Sequence, residues 1–430
     1  MVRRLIGHLD ADCFYVSCER VRQHSLRGKA VGVLGNQGAC VIAKSYEMKA
    51  AGVKTGVPIW EAVDLCPNGI FIKRDFRWYE VLSRMMLEIM QSVSPQVEYY
   101  SIDEFFFDCS ALTRVFRADL EESAFLLQQR ILKEVGVPVS LGISRSKLLA
   151  KLASDAEKPF GYKVLLSPEG IRDYLAKQPV GELWGIGRQN TKKLHRYGIR
   201  TCLQLADAHP KLIRKLLTIT GERILFEING CSVLPIVTER AMHKNVARGG
   251  SIGGASRDPK KVYAWLVRNV ERLIEALDVY GYVCGAVTLI LSFARDRFAP
   301  RHEPSWFQAR TVLPQHTANS KILLPAFEML LYQARLSRPV THMHLIASDL
   351  AMCGREQLPL FPYKEREEDR AREAFWRSGA KQDHDALKRM INEKFGRFAL
   401  RNAETLELRE MYRDSAHSYD ICDIYGKSCF

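Results

Sequence analysis

Four acids in two short segments have the residue types and neighbours that phosphoryl transfer requires. Asp10 closes the apolar run RLIGHLD with Asp12 just beyond it, and Asp103 with Glu104 interrupts the run YYSIDEFFF. On a strand, residues two apart face the same side, so Asp10 and Asp12 are expected to aim together. Carboxylates flanked by apolar residues are costly to bury unless a cation or hydrogen-bond donors compensate them. A pair of divalent ions meets that need. One ion can activate an attacking oxygen while the other clamps a triphosphate and stabilises the leaving oxygen. Mg²⁺ suits hard oxygen ligands and admits substrate oxygens to its shell. Taken alone, the DxD is also what a solvated strand end looks like; the second acid pair gives it weight.

These acids need a sheet to bring them together. Residues 4–16 begin as a short apolar strand, and EYYSIDEFFFDCS alternates polar and apolar like a second. Residues 78–93 and 119–135 have helical periodicity, VPVSLGIS reads as a buried strand, and 145–156 as a further helix. That order is expected to give a sheet with the carboxylates gathered at one place. Residues 17–72 form short elements with Gly-rich punctuation, and 169–230 read as helical. Residues 245–352 read as two β-α-β units with helices near 260–277 and 319–336.

Composition narrows the class. With 430 residues, 47% apolar and 26% charged, the chain is neither a disordered tail nor a collagen nor a small disulfide scaffold. Its length predicts two to four domains. The net charge of +14 calls for a polyanionic partner. Residues 167–244 carry 13 basic against 7 acidic side chains and residues 245–352 carry 13 against 8, so the middle of the chain is the cationic part. The 11 cysteines include no CxxC pair and no zinc spacing, and read as reduced thiols. The N-terminus turns acidic before a signal-peptide core can form, and the longest apolar stretch, near 283–293, is too short to span a bilayer. A cytoplasmic protein without membrane contact is expected.

Residues 182–205, ELWGIGRQNTKKLHRYGIRTCLQL, read as a helix-hairpin-helix. Gly185 and Gly187 permit a tight turn whose backbone N–H groups can face a DNA phosphate. Arg188, Lys192, Lys193 and Arg196 follow on the next helix. Such contacts position a duplex without reading its sequence.

The segments HLDADCFYVSCE, VIAKSYEMKAAGVKTGVP, YSIDEFFFD and LGISRSKLLAKLASDAEKPFG occur in order. Together they resemble the Y-family translesion DNA polymerases, and WGIG with the C-terminal motif resembles the UmuC-like branch of the UmuC/DinB superfamily. The resemblance covers at least residues 4–361. It implies an α+β multidomain, right-hand architecture: a palm at 1–18 and 73–166, fingers at 19–72, a helix-hairpin-helix thumb at 167–240, a β-α-β little finger at 245–352 and a tail at 353–430. It further implies that Asp10, Asp103 and Glu104, with the Ala11 carbonyl, hold two Mg²⁺ ions (Mn²⁺ as the alternative), Asp12 being a supporting carboxylate. Cys13, Phe14 and Tyr15 would floor the incoming nucleotide, with Tyr15 as the steric gate against a ribose hydroxyl. Tyr46, Lys49 and Lys158 match triphosphate-binding positions, and Cys40 and Ile42 match the roof over the templating base. Ala43 stands where many members have Thr, and Lys49 where many have Arg, which replaces a bidentate fork by a point charge.

Residues Gln357, Leu358, Leu360 and Phe361 resemble the anchors of the bacterial sliding-clamp-binding pentapeptide. The UmuC-like branch also implies an UmuD′-type subunit as a partner. The expected activity is error-prone addition of deoxynucleotides to a primer 3′-hydroxyl on damaged template DNA, in a nucleoid-associated protein of the DNA-damage (SOS) response. A catalytically silent DNA- and clamp-binding accessory protein is the alternative, but such paralogues lose the metal carboxylates.

Overall fold

A computed structural model of the chain describes residues 4–35, 40–239, 241–294, 305–334, 336, 338–355, 384–395 and 399–412. The chain divides into two units between Arg240 and Ala241.

The first unit contains strands β1 (Ile6–Ala11), β2 (Val31–Leu34), β3 (Val41–Lys44), β4 (Ile70–Lys73), β5 (Val97–Tyr99), β6 (Glu104–Asp108), β7 (Val139–Ser144) and β8 (Tyr162–Val164). Its helices are α1 (Phe14–Arg22), α2 (Tyr46–Ala50), α3 (Ile59–Leu65), α4 (Phe76–Val93), α5 (Leu112–Phe116), α6 (Leu120–Val135), α7 (Lys147–Ser154), α8 (Pro168–Lys177), α9 (Arg188–Arg196), α10 (Cys202–Ala206) and α11 (Pro210–Ile228). The larger sheet runs β5-β6-β1-β7-β8, with β1 antiparallel to both β6 and β7. The smaller sheet runs β3-β2-β4 and carries α2 and α3.

The alternation of β1 decides what each face of the large sheet does. Leu9 points into the main core with Phe105 and Phe107 of β6, Leu141 and Ile143 of β7, and the apolar faces of α4 and α6. Ile6, His8 and Asp10 point to the other face, where Phe106 and α7 lie. The three consecutive phenylalanines are therefore buried on both sides of the sheet. Gly142, the register partner of His8, allows α7 to lie against the sheet. A Cβ there would stand 2.1 Å from the Ala150 carbonyl oxygen.

Two strand readings need correction. The run EYYSIDEFFFDCS is a hairpin of β5 and β6, not one strand. The Tyr100 and Ser101 amides both donate to the Glu104 carbonyl, at 3.0 and 3.1 Å, and fold residues 100–103 into the turn. Strand β1 also stops at Ala11. Cys13 adopts a left-handed φ of 47° and α1 starts at Phe14, so Asp12 lies past the strand end and Tyr15 sits in a helical first turn.

Helices α8 to α11 pack with Leu148, Leu149 and Leu152 of α7 around a second core that holds Leu175, Leu183, Ile186, Leu194, Leu205, Ile213 and Ile228. Beyond α11 the chain is strapped down. The buried Glu227 carboxylate accepts from the Val233, Leu234 and Leu148 amides at 2.7, 2.8 and 3.2 Å. Glu98 accepts from Val237 at 2.7 Å.

The second unit holds β9 (Asn245–Ser256), α12 (Pro259–Tyr280), β10 (Tyr282–Phe293), β11 (Trp306–Thr317), α13 (Ser320–Gln333), β12 (Val340–Met352) and α14 (His384–Phe395). The sheet order β11-β10-β12-β9 is antiparallel throughout, so the two strands of each β-α-β unit are never neighbours. Part of the C-terminal segment belongs to this unit: Glu271 of α12 pairs with Lys388 of α14 and accepts from the Asn402 amide at 3.2 Å. No described helix is long and apolar enough to cross a membrane.

Candidate active site

The carboxylates meet at one end of the large sheet. Asp10, near the end of β1, is the register partner of Glu104, the first residue of β6. Cross-strand partners share a face, so both side chains lie on the α7 side. Asp103 joins them through its carbonyl, which accepts from the Ala11 amide at 2.9 Å.

Each acid has a compensating partner. Lys158 Nζ stands 3.0 Å from Asp10 and 2.7 Å from Asp155. Lys151 Nζ of α7 donates to Glu104 at 2.8 Å. The Ser101 hydroxyl donates to Asp103. Burial pushes the Asp10 carboxyl up to about 7; Lys158 opposes this while Glu104 and Asp103 add to it. Burial also acts upward on Glu104, but His8 and Lys151 outweigh it and hold the group down at about 2. Lys151 is the stronger of the two, since its ammonium is within hydrogen-bond reach while His8 Nε2 stands 3.9 Å away. His8 is fully buried, donating or accepting at Ser154 Oγ at 2.8 Å, and burial pulls it down to about 4. Lys158 is raised despite its burial, because Asp10 and Asp155 flank it.

Three clustered carboxylates supply hard oxygen donors suited to Mg²⁺. As the side chains stand, no three His, Cys, Asp or Glu groups among the described residues gather around one point. Lys158 draws on Asp10, Lys151 on Glu104 and Ser101 on Asp103. The donor chemistry and backbone placement fit divalent ions, and the lysines neutralise the same carboxylates that ions would.

Asp12 does not aim with Asp10. It is 3% exposed and accepts from Ser140 Oγ at 3.0 Å, the Tyr46 hydroxyl at 3.1 Å and the Phe160 amide at 2.8 Å. A hydroxyl has one proton, so Tyr46 has committed its proton to Asp12. Lys49 is exposed and lies 5.9 Å from the Tyr46 ring centroid. Ala43 and Ile42 are half-buried on the neighbouring strand, and Cys40 bridges to Pro58.

Phe14 is a core residue, whereas Tyr15 is half-buried. Tyr15 stacks on Tyr79 with centroids 4.8 Å apart and planes at 18°, and meets Phe76 edge-on. The Tyr79 hydroxyl donates to Glu19 at 2.7 Å, which Arg22 grips in turn. The gate candidate thus rests on a braced ring.

In the helical region, Gly185 has φ +92° and a Cβ there would stand 2.9 Å from Ile224. Gly187 is the residue before α9, and Arg188 and Lys192 are exposed. Lys193 differs: its ammonium donates to the Leu216 carbonyl at 3.0 Å, just before the non-helical Thr218 of α11. Gln357, Leu358, Leu360 and Phe361 lie outside the described residues.

Sequence reasoning assigned no role to Lys151, Ser140, His8 or Lys44. Lys151 carried a signal, since a lysine in the apolar run KLLAKLAS needs a buried anion. Lys44 bonds Thr55 at 2.8 Å and is pulled down by burial and by Lys49. Both neighbours follow it in the chain, Lys49 in α2 and Thr55 in the loop after that helix.

Comparison with known proteins bears on this arrangement. The model of the impB/mucB/samB family matches residues 9–155, and that of the impB/mucB/samB family C-terminal domain matches residues 243–360. DNA polymerase IV 1 of Bacillus subtilis is 30% identical over 413 residues, covering 95% of this chain and 94% of that protein. DNA polymerase IV of Oceanobacillus iheyensis is 32% identical over 75% of this chain and 79% of its own length. Protein ImpB of Salmonella typhimurium is 32% identical over 74% and 76%. Among solved structures, a Y-family DNA polymerase chimera superposes with a TM-score of 0.67 at 21% identity, covering 81% of this chain and 99% of that one.

Proposed function

The chain belongs to the impB/mucB/samB family, within the Y-family translesion polymerases of the UmuC/DinB superfamily, and from that membership we infer that it is a DNA-directed DNA polymerase acting on damaged templates. The observation that carries this reading is the pairing of Asp10 with Glu104 across β1 and β6, with Asp103 tied to Ala11 beside them. A silent accessory protein has no use for three carboxylates kept at one sheet end, two of them with their own counter-cations.

In this reading the primer 3′-hydroxyl gives up its proton to solvent, its oxygen bonds to the α-phosphorus of a deoxynucleoside triphosphate, the α–β bridging P–O bond breaks, and pyrophosphate leaves. Asp10, Asp103, Glu104 and the Ala11 carbonyl are the residues that would hold two Mg²⁺ ions. When bound, the ions supply Lewis-acid stabilisation of the attacking and leaving oxygens. The chain's own contribution is positional and electrostatic. Lys151 keeps Glu104 ionised, and Lys158 brings a fixed positive charge to where a triphosphate carries its negative ones. The Tyr15 ring, backed by Tyr79, excludes a ribose 2′-hydroxyl. Arg188, Lys192 and the turn at Gly185 and Gly187 face backbone phosphates. Lys193, exposed on the same helix, faces them too while donating to the Leu216 carbonyl.

We further propose that Gln357, Leu358, Leu360 and Phe361 dock in the bacterial sliding clamp, that an UmuD′-type subunit is a second partner, and that the protein acts on nucleoid DNA in the cytoplasm. Replacing Leu360 and Phe361 by Ala should remove stimulation by the clamp and leave basal extension intact; unchanged stimulation refutes the docking.

The deciding assay is extension of a labelled primer on lesion-containing template with Mg²⁺ and deoxynucleotides. Asp103→Asn should abolish extension while DNA binding persists. Extension by that variant would overturn the site.

A further inference from the structure

Asp12 lies two residues from Asp10, yet its carboxylate is fully engaged with the protein. Its three donors come from three separate segments. Ser140 Oγ of β7, itself fully buried, lies 3.0 Å from both carboxylate oxygens. The Tyr46 hydroxyl, from the first residue of α2, lies 3.1 Å from Oδ1. The Phe160 amide lies 2.8 Å from Oδ2. A carboxylate only accepts, and three donors take up most of its lone-pair sites, so Asp12 is held by the protein and not aimed with Asp10.

What the three segments carry gives this cluster its meaning. The Phe160 amide belongs to the loop that presents Lys158 two residues earlier, and Phe160 itself takes a left-handed φ of 54°. Few residues adopt that backbone without an anchor. Tyr46 opens the helix that also carries Lys49. Ser140 fixes the carboxylate to the sheet that carries Asp10, its register partner. One buried anion thus ties the two triphosphate-facing elements to the strands bearing the catalytic acids. We propose that Asp12 is a positioning residue that sets the distance of Lys158 and Tyr46 from the catalytic carboxylates. This rests on the reading of Lys158 as a triphosphate contact.

Asn is nearly isosteric with Asp; its one oxygen can keep the Phe160 amide while its NH₂ donates to the Tyr46 or Ser140 hydroxyl oxygen, so Asp12→Asn removes the negative charge and not the geometry. The loop then keeps a hydrogen bond but loses its charged acceptor. The test is single-nucleotide insertion on a primer-template by wild type, Asp12→Asn, Lys158→Ala and the double variant. For Asp12→Asn we expect KM for the deoxynucleotide to rise about fivefold, the difference between a charged and a neutral acceptor, with kcat within about threefold. The Mg²⁺ concentration giving half-maximal rate should not move. Because Asp12 acts through the loop, the double variant should have a KM within about twofold of Lys158→Ala alone.

An unchanged KM in Asp12→Asn, KM effects that multiply in the double variant, or a raised Mg²⁺ requirement each overturns the proposal. A fall in thermal stability with kcat reduced and KM unmoved does the same, marking Asp12 as structural only. If Lys158→Ala leaves KM unchanged, the triphosphate reading fails and the inference with it. A wild type that inserts nothing removes the polymerase reading first. Should Asp12→Asn not fold, Ser140→Ala loosens the same carboxylate. It should raise KM about threefold, and an unmoved KM there is equally fatal.

Discussion

Lys147 offers the most exacting test of the packing beneath the site. Its ammonium lies 2.7 Å from Glu98, with side-chain exposures of 5% and 11%, and 3.3 Å from the Pro235 carbonyl. It also lies 4.6 Å from the Phe106 ring centroid. Lys147→Met keeps the chain length and removes the charge, which leaves Glu98 buried with the Val237 amide still donating to it. Removing one partner of a buried pair costs about 3–5 kcal/mol. Glu98 keeps one amide bond and some solvent access, so the lower end, about 3 kcal/mol, is expected. Neutralising both members, in Lys147→Met with Glu98→Gln, should cost about 1 kcal/mol, less than either single change. The chain has two units, so one melting curve does not isolate this effect. Hydrogen exchange read by peptide does. Amides of α7 and β6 should exchange about 100-fold faster in Lys147→Met, the equivalent of about 3 kcal/mol. Amides of β12 in the other unit should be unchanged, and Val237 should lose protection first. Acceleration below about tenfold, or a double variant less protected than Lys147→Met, would refute the account.

Other outcomes follow from the same coordinates. Gly142→Ala places a Cβ 2.1 Å from the Ala150 carbonyl oxygen and 2.3 Å from the Ser154 nitrogen, so α7 must move; hydrogen exchange across α7 within about twofold of wild type would contradict that packing. Glu227→Gln sets an NH₂ group against backbone donors and should cost about 2 kcal/mol, read as faster proteolysis between residues 231 and 244. His8 and Asp10 predict opposite pH slopes in metal-free protein. His8 is depressed from 6.5 to about 4, so its stabilising contribution is full above 6.5 and is lost as pH falls through that window. Asp10 is raised from 3.8 to about 7, so its penalty grows as pH rises from 3.8 to 7. His8→Gln should therefore flatten the acid side of the stability profile, and Asp10→Asn should raise thermal stability most above pH 7. Parallel profiles for wild type and both variants would refute both assignments.

Much of this protein was legible in its residues. The acids, the ordered motifs around them, the helix periods and the GIG turn are local, and local pattern suffices to specify a strand, a helix or a tight turn. The helices read near 260–277 and 319–336 occur at Pro259–Tyr280 and Ser320–Gln333, because their apolar faces repeat at the helical period. The strand reading of YYSIDEFFF failed because a four-residue turn between two short strands preserves the same alternation. Only the tertiary structure decided which charges meet. The partners of Asp10, Asp12, Glu98 and Glu104 lie 148, 148, 49 and 47 residues away along the chain. Asp10 and Asp12 look equivalent two residues apart, yet the strand ends between them. One is left facing a lysine at the sheet end and the other is enclosed by three donors. Charge and hydrogen-bond satisfaction are settled by distance in space, and sequence spacing fixes that distance only within a single element.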